Sequence, residues 1–194
     1  MGRGIHIKIS TGAILSVALA LLILPLSLLL SLFIAAAIHE LCHYLALRIT
    51  GTRVYDITVN PFGATMVTDA MEPGKEVFCA LAGPAGSFLL VASHRIFPEI
   101  ALCALVQGCF NMLPVYPLDG GRAIGGILEM LKISCKDRIL PVLRWLTGLV
   151  IGFGCGYGFF VWDLGWGLAI LGVMLLLRIF PRKTPCKECF FGVQ

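Results

Sequence analysis

Apolar residues fill long stretches of this chain, and polar ones interrupt them at few places. Residues 12–47 form a nearly unbroken apolar run of 36 positions, longer than the roughly 20 that one membrane-crossing helix needs. Pro25, with Ser27 and Ser31 after it, marks the break, so the pattern predicts two helices, near 11–24 and 27–48. The longest polar connection follows, at 48–75. Inside it Tyr55, Ile57 and Val59 alternate with Asp56 and Thr58, the period of a strand. Asn60-Pro61-Phe62-Gly63 is a turn signal, and 64–68 reads as a return strand. That segment is either a short hairpin or a plain surface loop. Four more apolar segments, near 77–92, 99–113, 145–161 and 164–179, bring the expected helices to six.

Composition places this pattern in a membrane. The chain is 58% hydrophobic and 13% charged, with a mean hydropathy of +0.93, values of an integral membrane protein. The expected fold is an all-α polytopic membrane protein forming a single domain over 1–194: a core at 27–130, two further helices within 139–180, and a cytosolic tail at 181–194. The first apolar run lacks a small-residue cleavage site and reads as a retained helix rather than a signal peptide. The eight cysteines lie mostly in apolar segments without framework spacing, so free thiols are expected. Cys186 and Cys189 supply only two ligands and read as thiols of the tail. With both termini cytoplasmic, Arg95 is the one outer residue among the 15 lysines and arginines, a strong positive-inside bias. The net charge of +4 then needs no nucleic acid; the partner it implies is the lipid bilayer.

Candidate chemistry sits where polarity is costly. His39-Glu40-Leu41-Cys42-His43 closes the second apolar run, and on a helix His39 and His43 lie one turn apart on one face. Two imidazoles so spaced can take neighbouring corners of a tetrahedral zinc ion, and Glu40 beside them suits a proton acceptor. The alternative is a core helix carrying the pattern by chance, but ionisable groups within a span default to function. His39 lies nine residues before Arg48, about 13 Å of helix rise from the cytosolic end.

The second polar stretch is 111–121, Asn111-Met112-Leu113-Pro114-Val115-Tyr116-Pro117-Leu118-Asp119-Gly120-Gly121. Two prolines interrupt any helix here, so Asp119 is expected on irregular backbone at membrane depth. Alone it reads as a helix cap. With a His pair in the same membrane it reads as the third ligand of a zinc site whose fourth position is open to water.

These two motifs, with Asn60-Pro61-Phe62-Gly63 and Ala82-Gly83-Pro84, resemble the site-2 proteases, intramembrane zinc metalloproteases. Order and spacing are most like the bacterial branch containing stage IV sporulation protein FB, which cleaves a membrane-associated pro-sigma factor. The resemblance implies zinc ligands at His39, His43 and Asp119, a general base at Glu40, and an Asn111 that positions substrate or stabilises the oxyanion. It also implies a membrane-associated β-hairpin at 54–68 that pairs with unwound substrate, with Ile57, Asn60, Pro61, Phe62, Gly63 and Val67 as its contacts. The expected substrate is a single-pass or membrane-associated protein, such as a pro-sigma or anti-sigma factor, cut in regulated intramembrane proteolysis at a bacterial cell membrane. Cys42 stands where relatives commonly have Gly. The tandem CBS domain of the sporulation branch is not expected, nor direct control by ATP through it. Gly152, Gly154, Gly156 and Gly158 suit helix packing, including a contact between two copies; a regulatory membrane protein is a further candidate partner.

Two other functions fit the same residues. A metal transporter would also place His, Glu and Asp in the membrane, but here they cluster at one depth instead of forming a relay. A catalytically idle adaptor of the same fold is disfavoured by the intact Glu40.

Overall fold

A computed structural model describes residues 6–60, 63–133 and 136–161. The turn residues Pro61 and Phe62, the helix expected at 164–179 and the tail with Cys186 and Cys189 lie outside the described residues.

The described part opens with strand β1 (His6–Ile9) and helix α1 (Thr11–Ile23), whose start is capped by Ser10 accepting from the Ala13 amide at 3.2 Å. Pro25 ends the first helix and caps the next, α2 (Leu26–Ile49), as the sequence predicts. Strands β2 (Val54–Asn60) and β3 (Gly63–Thr68) form the predicted hairpin. Helix α3 (Pro73–Val91) begins with a proline at its first turn and leads through a short 3-10 turn (Ala92–Arg95) to α4 (Pro98–Asn111). Helices α5 (Asp119–Met130) and α6 (Lys136–Val161) complete the described part.

Three features depart from the sequence reading. Strand β1 was not expected; it pairs in parallel with β2, His6 opposite Asp56 and Ile9 opposite Val59, giving a sheet of order β1-β2-β3. Helix α5 replaces the irregular backbone expected at Asp119, which sits in its first turn. Gly120 and Gly121 permit this, because a Cβ on either would run into the backbone of Met112 or Val115. The loop between α4 and α5 thus folds directly onto the start of α5. Finally, α6 begins well before the expected position 145.

Helix α3 packs against α2, α4 and α5, with α2 also against α4. Small residues make this close approach possible. Ala35 of α2 and Ala104 of α4 are fully buried against each other's helix, and Gly83 of α3 lies so close to α2 that a Cβ would overlap the His43 ring. The outward surfaces are apolar, with Leu22 84% and Leu89 78% exposed, as for side chains facing lipid rather than water. Among the described residues, Leu26–Ile49 and Pro73–Arg95 are the two stretches long and apolar enough to cross a membrane. Helix α1, with 13 residues, and α4, with 14, rise only about 20 Å each.

Candidate metal centre

Helix α2 presents His39 and His43 on its buried face, and their rings meet edge to face with centroids 4.8 Å apart. The start of α5 brings Asp119 against them. Its Oδ2 lies 3.2 Å from His39 Nε2 and 3.1 Å from His43 Nε2, and the two Nε2 atoms are 3.2 Å apart. All three residues are buried.

The outer hydrogen bonds bear on which ring nitrogens face the triangle. His43 Nδ1 lies 2.7 Å from the carbonyl oxygen of Cys79. A carbonyl only accepts, so Nδ1 carries the proton and Nε2 of the neutral ring presents a lone pair. His39 Nδ1 lies 2.9 Å from the Ser87 hydroxyl, which is fully buried. The Asn111 amide nitrogen facing His39 Nε2 marks that nitrogen too as an acceptor, so two Nε2 atoms and a carboxylate oxygen converge as a set that suits a cation between them. A tetrahedral zinc with arms of about 2.0–2.1 Å has edges of about 3.3 Å, close to the separations of 3.1–3.2 Å found here. The donor set fits such an ion, and the outer partners match the arrangement that orients histidine ligands elsewhere.

Asp119 is divided between two tasks. Oδ2 faces the histidines, while Oδ1 faces the buried Arg122 guanidinium, one turn along α5, at 3.7 Å. The positive end of α5 also favours the carboxylate. Arg122 thereby balances a buried anion whose desolvation would otherwise be costly. Asn111, the last residue of α4, places its amide nitrogen 3.3 Å from His39 Nε2.

Glu40 is half-buried beside the triangle, and its Oε1 accepts from the Ala64 amide of β3 at 3.0 Å. The expected substrate contacts fall in different places on the sheet. Ile57 is in the central strand, with neighbours on both sides. Asn60 braces the hairpin by donating to Thr65 Oγ1 at 3.0 Å. Gly63, at φ +130°, backs onto Glu40, and Val67 is in the edge strand β3 opposite Asp56. Tyr55 donates to Asp69 at 2.7 Å, and that bond holds its hydroxyl above the ordinary tyrosine pKa.

Sequence reasoning missed Ser87, the Cys79 carbonyl, Arg122 and the Ala64 amide. Ser87 had a signal, a lone polar side chain next to Gly86 in an apolar helix. Arg122 stands three residues after Asp119, a pairing that becomes visible once α5 is known to be helical.

No family model matches the chain. Its sequence is 27% identical over 141 residues to zinc metalloprotease MJ0392 of Methanocaldococcus jannaschii, covering 61% of this chain and 42% of that protein. It is 29% identical over 175 residues to the Synechocystis protein named "Putative zinc metalloprotease sll0528", covering 82% of this chain and 42% of the relative. The chain thus spans well under half the length of these curated relatives. In structure it resembles a site-2 protease from M. jannaschii, with a TM-score of 0.65 at 21% identity over 96% of this chain and 97% of that one. The chain has the fold of a site-2 protease, built around a His39–His43–Asp119 centre that fits one zinc ion, and its sequence is similar to those of zinc metalloproteases.

Proposed function

We propose that this chain is an intramembrane zinc endopeptidase of the site-2 protease family, acting on a single-pass or membrane-associated protein in a bacterial cell membrane. The observation that carries the reading is the convergence of His39, His43 and Asp119 within apolar helices, with the carboxylate of Glu40 next to them and outside the ligand triangle. Zinc bound by those three residues supplies Lewis acidity and brings the pKa of water toward neutrality.

The residues of the chain do the rest. Ser87 and the Cys79 carbonyl hold the imidazoles so that both Nε2 atoms face the centre. Glu40 takes the proton from the attacking water and passes it to the leaving amine as the peptide bond breaks. The buried Asn111 amide, beside His39 Nε2, is a donor for the oxyanion. A helical substrate has its carbonyls already bonded and shielded, so it must be extended first, and the edge of β3 offers backbone groups to an extended peptide. Six spanning helices with cytoplasmic termini, from the apolar pattern and the basic-residue bias, belong to this proposal, as does, by resemblance, a pro-sigma or anti-sigma factor as substrate.

The test uses wild type and Glu40→Gln in proteoliposomes with a single-span substrate. Wild type should cleave, while Glu40→Gln should lose cleavage and retain one zinc per chain. Loss of zinc in the variant would make Glu40 a ligand. Zinc uptake into the vesicles with no cleavage would favour a transporter.

A further inference from the structure

We infer that Gly63 and Ala64 at the start of β3 are positioning residues for Glu40, so that the hairpin is part of the catalytic apparatus and not only a docking edge. This rests on the assignment of Glu40 as general base above. The hydrogen bond from the Ala64 amide to Glu40 Oε1, 3.0 Å, comes from a backbone group that the sheet does not use. Val59, the partner of Ala64 in β2, gives its carbonyl to the Ser10 amide at 2.9 Å, on the β1 side. The Val59–Ala64 pair is therefore one of the non-hydrogen-bonded pairs of the ladder, and the Ala64 amide points out from the free edge of β3.

Gly63 completes the contact. A Cβ there would stand 3.0 Å from Glu40 Oε1, and the backbone at φ +130° is one that side-chain-bearing residues rarely adopt. Glycine lets the strand reach the carboxylate. Glu40 otherwise has several rotamers open to it, and a charge-assisted bond selects one. Oε1 is held by the strand, which leaves Oε2 to exchange the proton. Because the Ala64 amide is engaged, an added substrate strand takes its first free donor from Met66. One strand then fixes both the base and the start of substrate pairing.

The test compares Gly63→Ala, and a backbone ester at position 64 that replaces only the N–H, with wild type on a single-span substrate in proteoliposomes. Both changes should lower kcat by about 10- to 100-fold, the scale of a lost charge-assisted bond to a general base. KM should stay within about twofold and zinc at one per chain. In the Glu40→Gln background, Gly63→Ala should leave capture of the uncleaved substrate unchanged, since no base remains for the hairpin to position. A raised KM with unchanged kcat, or weakened capture in that background, would make these residues substrate contacts and overturn the inference. If Glu40→Gln itself cleaves like wild type, the functional reading fails instead. If Glu40→Gln is inactive while both hairpin changes keep full kcat, only this inference fails.

Discussion

A proline at position 66 separates substrate docking from hairpin integrity. The Ala64 amide faces the free edge, and alternation along a strand turns the N–H and C=O of Met66 to that same edge. Val67 then faces β2, where it lies opposite Asp56, and Ile57 faces β1, as Val59 does. Proline at Ile57 or Val67 would instead break the sheet internally, since their amides face β1 and β2. Met66→Pro removes one donor from the docking edge and strands one substrate carbonyl. An unmade bond of this kind costs about 1–3 kcal/mol, roughly a 5- to 150-fold fall in kcat/KM. Met66 also packs against the Ala46–Leu47–Cys79 cluster, so Met66→Ala, which keeps the amide, is the control. The assay is the initial rate at substrate well below KM in proteoliposomes, with zinc content as the check on folding. If Met66→Pro cleaves within about twofold of Met66→Ala, substrate is not held on this edge.

Two further outcomes follow from the packing. Ser87→Ala removes the hydroxyl 2.9 Å from His39 Nδ1 and should weaken zinc binding by about 10- to 100-fold in a chelator competition; unchanged affinity would leave Ser87 a packing residue. Single cysteines introduced at Lys75 and Arg95 should be labelled from opposite sides of the membrane, Lys75 from the cytoplasm, and labelling of both from one side would contradict the assigned orientation of α3.

What could be read from the sequence follows how local each feature is. His39, Glu40 and His43 are legible because four-residue spacing on one helix fixes a shared face before any tertiary contact forms. The hairpin is legible because alternation and a turn lie within fifteen residues, Val54 to Thr68. Asp119 is legible as a candidate ligand, but it stands in the first turn of a helix and not on irregular backbone. The two glycines after it, which look like helix breakers, are there to let α5 press onto the preceding loop. Strand β1 has only four residues and pairs with a segment about fifty positions later, a partner no local pattern names. Ser87, the Cys79 carbonyl and the Ala64 amide act on side chains of another element, so their roles exist only once α2, α3 and β3 are packed.

The central claim, a one-zinc peptidase centre made by α2 and α5, is tested most directly by titrating zinc into the metal-stripped protein while following cleavage in proteoliposomes. Cleavage should be absent at the start, rise in proportion to added zinc, and break to a plateau at one equivalent per chain. Cleavage that survives complete removal of zinc, or a stripped protein that regains none when zinc rebinds, would contradict the account.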